Sequence, residues 1–185
     1  LGTTLGHQFD KGMAAAEEAE TLEPGERERI QTAFFTATFS VLGHIAKADG
    51  RVSEREIGLA RQIMEEMDLP PDMRRTAIGL FNQGKSPEFP LDQVLEQFRR
   101  ECQRRRTLLQ MFLEIQLQGA YADGTMTAVE ERLLRYVAQQ LGFSELEFRQ
   151  LERMAWAQRQ FAGTGAGAGA GRRQERPVTE PAAPT

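Results

Sequence analysis

Two stretches of this chain carry carboxylates at matching places. Residues 44–57 read HIAKADGRVSEREI and residues 120–133 read AYADGTMTAVEERL, pairing Asp49 with Asp123, Gly50 with Gly124, Ser53 with Thr127 and Glu56 with Glu130. Two Asp and two Glu brought together by a pseudo-twofold arrangement would form a compact acidic site, and oxygen ligands of that kind suit Mg²⁺, Ca²⁺ or Mn²⁺. Glu114 is a further candidate, because it sits inside the apolar run MFLEIQ, where an unpaired carboxylate is costly. Paired with an Arg or a backbone N–H, it is instead a satisfied buried acid. His44 could join the set as a ligand, although a lone His on an apolar helix more often serves the packing.

The same residues have a plainer role. Ser53-Glu-Arg-Glu56 and Thr127-Ala-Val-Glu130 both fit the S/T-x-x-E capping box. In that motif the hydroxyl accepts from an early helical N–H while the Glu reaches back to the cap's own N–H. Asp-Gly ahead of each is ordinary turn chemistry, the Gly permitting a positive φ. The phrase is not an EF-hand, since it lacks the alternating oxygen ligands of D-x-D-x-D-G and the Glu that closes that loop. Capping and ion binding draw on the same carboxylates and are compatible.

The elements that must position these residues read as helices. Phe34, Thr38, Val41 and Ile45 make one helical stripe; Ile57, Ala60, Ile63, Met64 and Met67 make another. Leu80, Phe81 and Gly84 mark the end of a third helix, with Gly as its stop. LDQVLEQFRREC begins a fourth, and TLLQMFLEIQLQGAYA, apolar on most sides, reads as the buried central helix. ERLLRYVAQQLG and SELEFRQLERMAWAQRQF complete an all-α set of about seven helices. The stripe after the second phrase keeps register with the first, Ala60 with Leu134, Ile63 with Val137 and Met67 with Leu141, as an internal helix–turn–helix repeat requires. Phe34, Phe39, Leu42, Ile63, Phe112, Ile115, Leu134 and Val137 are the expected core, with Trp156 and Phe161 as packing residues of the last helix.

Composition bounds the alternatives. At 185 residues with a formal net charge of −4, the chain suits one well-packed domain with tails and gives no general reason to expect nucleic-acid binding. Its single cysteine, Cys102, permits no intrachain disulfide and no Cys/His zinc spacing. No apolar run approaches the roughly 20 residues of a membrane-spanning helix. Residues 1–25 read as a loosely ordered leader, in which Gly2 and Gly6 have the small-residue spacing of membrane helix contacts. Residues 26–161 read as the helical domain. Residues 162–185, AGTGAGAGAGRRQERPVTEPAAPT, cannot bury enough apolar surface to order themselves and read as a linker.

The one dense basic run is RRECQRRR. At helical spacing Arg99, Arg106 and Cys102 share one side, Arg100 and Arg104 another; a solvated face is the first reading, an anionic lipid surface or acidic partner the second, and nucleic acid the third, since no aromatic residues interleave for base stacking. No GxSxG, HExxH or P-loop occurs. Cys102 beside arginines could have a lowered pKa, but no base accompanies it.

The order FFTATFSVLGHIAKADGRVSEREI, FPLDQVLEQFRREC, LLQMFLEIQLQGAYADGTMTAVEERLLRYVAQQLGFS closely resembles the TerB-like domain of membrane-anchored DnaJ-like co-chaperones of Gram-negative bacteria. The resemblance covers roughly residues 1–161. It implies a TerB-like helical bundle, with the family's acidic positions on Asp49, Glu56, Asp123 and Glu130 as a possible divalent-metal site. It also implies an anchor in the bacterial inner membrane, this domain facing the cytoplasm, and a J domain beyond the linker. That J domain would recruit the Hsp70 chaperone DnaK and stimulate its ATPase through a His-Pro-Asp tripeptide, which the 185 residues do not contain. The leader LGTTLGHQFDKGM looks like the juxtamembrane stretch of such proteins, and a homodimer fits the resemblance. A non-catalytic interaction module is therefore expected. Its rivals are a free-standing metal- or stress-sensing domain and, last, a metal-assisted hydrolase using the carboxylates.

Overall fold

The computed structural model describes residues 23, 25–102 and 105–164. Among them the chain forms seven α-helices and no strand: α1 (Glu26–Ala46), α2 (Glu54–Glu66), α3 (Pro71–Gly84), α4 (Leu91–Cys102), α5 (Arg106–Ala120), α6 (Ala128–Gln140) and α7 (Glu145–Thr164). The all-α expectation is met. The leader with its Gly2/Gly6 pair and the tail from residue 165 lie outside the described residues. Helix α7 runs to Thr164, past the expected boundary at 161. A helix extends along its own hydrogen bonds, one per added residue, and need not stop at its last large apolar side chain.

Helices α1 and α5 share the centre, each packing on the other and on four further helices. The sequence assigns that place to α5, which is apolar on most sides, and reads α1 as a single stripe through Phe34, Thr38, Val41 and Ile45. Small polar side chains also enter this helix's buried face: Thr38 and Ser40 are buried, and Ser40 Oγ donates to Thr36 O at 2.6 Å, one turn back along its own helix. A chain of aromatic contacts ties α1, α4 and α5 together. Phe98 lies 6.0 Å from Phe34 and 4.7 Å from Phe112, centroid to centroid, both in tilted or edge geometries. All eight expected core residues are buried.

Where α1 crosses α3, the two backbones touch. A Cβ on Gly43 would stand 2.0 Å from Phe81 O, and one on Gly84 would stand 1.8 Å from Ser40 O. Gly84 is therefore required for close approach; it is the last helical residue, and right-handed Lys85 caps the helix in place of a left-handed glycine. His44 sits at the same crossing, with Nδ1 3.1 Å from Gly84 O and its ring 5.1 Å from Phe89. By donating there, Nδ1–H satisfies a carbonyl that the end of α3 leaves without a helical partner. His44 is thus a packing and capping residue of the α1–α3 crossing.

The arginine run does not form one helical face, because α4 ends at Cys102 and α5 begins at Arg106. Arg99 and Arg106 instead reach the end of α6, donating to Gln140 O and Gly142 O at 3.3 and 3.5 Å. Arg106 also stacks on Phe143 at 4.5 Å and pairs with Glu147. Arg105 is buried and bonds Glu26 at 3.2 Å; Arg100 pairs with Glu96 at 2.9 Å. Arg99 and Arg106 thus hold the C-terminal end of α6, as cationic forks do well beside the negative end of a helix dipole, Arg100 pairs within α4, and Arg104 lies outside the described residues.

Candidate functional site

The two Ala-Asp-Gly turns share one local geometry. Gly50 N and Gly124 N each donate to a carbonyl three residues back, at 2.9 Å in both cases, and the two glycines have φ of 88° and 98°. Such left-handed φ values are strained for residues with a Cβ, so glycine is needed at both. Helices α2 and α6 then start alike. Ser53 Oγ accepts from Glu56 N at 3.1 Å while Glu56 Oε2 accepts from Ser53 N at 2.6 Å. Thr127 Oγ1 accepts from Glu130 N at 3.2 Å while Glu130 Oε2 accepts from Thr127 N at 2.7 Å. Both expected capping boxes are formed. The likeness continues to the far ends, where Asp68 and Gly142 both take positive φ and Leu69 N and Phe143 N bond back to Met64 O and Ala138 O.

The buried faces correspond as well: Glu56, Ala60, Ile63 and Met64 on α2, Glu130, Leu134, Val137 and Ala138 on α6. The inward stripe of α2 thus starts at Glu56, only 8% exposed, while Ile57 is half-buried. A sequence stripe drawn through apolar residues alone skips this carboxylate. Capping explains its place, because the carboxyl must fold back over the first turn, which faces the core. Glu130 is only 4% exposed for the same reason.

Contact between the two phrases is one-sided. Ser53 Oγ donates to Asp123 Oδ1 at 3.1 Å, and Arg55 Nη1 to Asp123 O at 3.4 Å. Ser53 thereby uses its hydroxyl as acceptor for its own helix and donor to the other turn. Thr127 Oγ1 turns back instead to Glu130 Oε2 at 2.8 Å, and the residue matching Arg55 is Val129, which has no side-chain donor. Asp49 is exposed and closes its own turn, Oδ1 accepting from Arg51 N at 2.9 Å.

The structure therefore brings Glu56, Glu130 and Asp123 within electrostatic reach, with Asp49 engaged in its own turn. Burial, first, and then the charges of Glu130 and Asp123 hold the Glu56 carboxyl above its ordinary pKa of 4.5, against the opposing hydrogen bonds from Ser53. Among the described residues, no three His, Cys, Asp or Glu side chains converge as an ion would require. As they stand, Glu56 and Glu130 serve backbone amides, and an ion would have to draw them away.

Other expected candidates lie elsewhere. Glu114 is half-exposed and accepts from Gln110 Nε2 at 3.0 Å, so it is not a buried acid. The buried polar residue of α5 is Gln116, whose Nε2 donates to Thr38 O at 3.1 Å, tying the two central helices. Nothing distinguished it in sequence beyond its place in an apolar run. Cys102 is fully buried, and burial pushes its thiol up to about 12, opposite to the lowering expected from its arginine neighbours. Desolvation of the thiolate outweighs the pull of Arg105. Trp156 and Phe161, expected to pack, are 51% and 77% exposed. The core-facing side of α7 is supplied by Phe148, Leu151 and Ala155, with Trp156 and Phe161 on its two flanks, each about 110° round the helix.

Comparison with known proteins adds what geometry alone cannot. Residues 35–153 match the family described as Tellurite resistance protein TerB, a span holding both Asp-Gly turns, all of helices α2 to α6, the second half of α1 and the first half of α7. The chain belongs to the TerB family. This TerB chain is also similar to the co-chaperone protein DjlA of Yersinia pseudotuberculosis, at 41% identity over 165 residues, covering 89% of the chain and 58% of the relative. DjlA of Salmonella typhimurium and of Escherichia coli K12 are each 42% identical over 163 residues, covering 88% of the chain and 59% of the relative. The TerB chain thus spans under two-thirds of the length of these relatives. No solved structure matches it. No helix among its described residues is long and apolar enough to cross a membrane.

Proposed function

We propose that this chain is the non-catalytic regulatory and interaction module of a membrane-anchored DnaJ-like co-chaperone. The observation that carries the reading is the 41% and 42% identity to co-chaperone DjlA proteins over 89% and 88% of the chain. In this reading the parent protein is held in the bacterial inner membrane with the module on the cytoplasmic side. A J domain joined through the Gly/Ala/Pro stretch at 162–185 recruits DnaK and stimulates its ATPase. The chain has no His-Pro-Asp tripeptide of its own, so it contributes placement and contacts while the J domain acts on the Hsp70. A contact role also suits the groups present: Cys102 is inert by burial, His44 is bonded to Gly84 O, and Glu56 and Glu130 cap helices.

The test measures DnaK ATP turnover with the 185-residue chain and with the product of its whole reading frame. Basal turnover with the chain and raised turnover with the whole product is the expected result. A whole product that leaves DnaK at its basal rate would sink the reading in favour of a free-standing TerB-type sensor.

A second reading assigns a divalent cation to Asp49, Glu56, Asp123 and Glu130. What favours it is the negative potential at Glu56, to which Glu130 and Asp123 both add. Binding would draw at least one Glu from its capping box, setting about 1 kcal/mol of cap stabilisation against the ion. Calorimetric titration with Mg²⁺, Ca²⁺ and Mn²⁺ tests it. Heat lost in the pair Asp49→Asn, Asp123→Asn supports the site; an unchanged trace in that pair, or no heat at all, removes it.

A further inference from the structure

The chain enters the bundle through a closed reversal. Glu26 N donates to Glu23 O at 2.9 Å, and Gly25, at φ 83° and ψ −7°, has the left-handed backbone of the third position of a type II turn. Glu26 anchors that turn, its carboxylate accepting from Glu23 N and from the buried guanidinium of Arg105, at 3.2 Å in both cases. A reversal of this kind directs the chain before Glu23 back alongside α1. There, between α1 and α4, runs a groove of about 430 Å³ with Gly25 at its lip. Buried Ala37 and Phe98 form its floor, and half-buried Ala33 and Val94 its sides.

We infer that this groove is the docking site of the chain's own leader, with residues 9–20 laid in it as a helix antiparallel to α1. Docking depends on neither the co-chaperone reading nor the acidic residues. The first support is the leader's spacing. At about 100° per residue, Phe9, Met13 and Ala16 fall within about 60° of one another, with Lys11 and Glu18 on the opposite side. Leu5 continues the same stripe one turn earlier. A segment this short is marginal as a helix by itself in water and needs an apolar surface to cover. Small Gly12, Ala16 and Ala19 suit close approach to Ala33 and Ala37.

The second support is length. The groove follows α1 from Gly25 to Ala37, about 18 Å, and a helix of residues 9–20 measures about the same. The third is charge. Antiparallel docking brings Glu17, Glu18 and Glu20 to the start of α1, whose unpaired N–H groups are positive and beside which Arg29 is exposed. The far end of the chain is no rival, because residues 165–185 hold Val178 as their one large apolar side chain. Docking also sets reach. Extended, the residues before Glu23 span up to about 75 Å, whereas docked they stay near the bundle. In the co-chaperone reading that reach is the stand-off from the membrane.

The experiment uses the whole 185-residue chain and follows trypsin cleavage after Lys11, with cleavage after Arg172 in the Gly/Ala/Pro stretch as the internal reference. Trypsin cuts extended backbone, so a docked leader is cut only while it is off the groove. Lys11 should be cut about tenfold or more slowly than Arg172. Ala16→Asp, which puts a charge on the groove floor, should abolish that protection, and Glu18→Ser on the opposite side should keep it. Place is read by a disulfide. A reversal closed by Glu23 and Glu26 sets position 13 beside position 36, which lines the groove. Met13→Cys with Thr36→Cys should therefore close within one chain, and Met13→Cys with Met154→Cys on α7, which packs on α5 and α6, should not. The native Cys102 is buried and does not compete. Lys11 cut as fast as Arg172, or equal protection in Ala16→Asp, overturns the docking. A Met13/Thr36 pair that closes no faster than the Met154 control, or that links two chains in proportion to concentration, overturns the groove as the leader's site within its own chain.

Discussion

Glu56 shows how one side chain can serve two opposing demands. Its carboxylate completes a capping box, yet the first turn of α2 faces the core and places that charge out of water beside Glu130 and Asp123. Because its folded pKa lies above the unfolded value near 4.5, the native state holds the proton more tightly. Stability contributed at this site is fully present below that unfolded value and falls as pH rises through the folded one. Glu56→Gln keeps an acceptor for Ser53 N without the charge, so urea melts should find it more stable than the parent at pH 7 and equal to it near pH 4. Glu56→Ala removes the acceptor and is expected to cost about 1 kcal/mol at both. Glu147 behaves oppositely. Its bond from Ser144 N and then its pairing with Arg106 pull it down to about 2. Its contribution is present above about pH 4.5 and is lost as pH falls toward 2, so Glu147→Gln should flatten acid unfolding over that window.

At the scale of elements, the α1–α3 crossing depends on two glycines that no turn requires. Gly43 and Gly84 let backbone carbonyls of Phe81 and Ser40 approach to where a Cβ would stand. Backbone cannot swing aside as a flexible side chain can, so Gly43→Ala and Gly84→Ala should each destabilise by roughly 2–3 kcal/mol or more, measured by urea denaturation. Gly58→Ala, within α2 and with nothing near its Cβ position, is the control and should be neutral or stabilising by up to about 1 kcal/mol. The helices themselves were legible in sequence, since the apolar spacing and the two S/T-x-x-E boxes are local signals that folding left intact. Crossings were not legible: Gly84 reads as a stop signal in sequence, and only the presence of α1 against it gives it another purpose.

For the molecule as a whole, the core runs unbroken from Phe34 through Phe98 to Phe112, with Cys102 enclosed beside it. A thiol pushed up to about 12 and without exposed surface reacts only when the bundle opens. Modification by a disulfide reagent at pH 8 should therefore be slow in the native chain. It should rise with urea in step with the loss of helical circular dichroism, so that an early rise would reveal separate unfolding of α4. The site is likewise a whole-molecule outcome. Sequence paired Asp49 with Asp123 by position, but the bundle sets Asp123 against Ser53 and Arg55 of α2 and leaves Asp49 in its own turn.

Sequence by itself determined the helices, the capping boxes, the glycine turns, the core residues and the likeness to the TerB family. Each of these is written in neighbours a few residues apart or in the order of whole segments. Tertiary structure alone decided that Glu56 and Glu130 point inward, that the arginine run clamps the end of α6, that Cys102 is inert, and that Trp156 and Phe161 face outward. These are facts of burial, set by which helix lies against which. Helical periodicity specifies that an apolar face exists, whereas only the packed neighbours specify which of two apolar faces is covered.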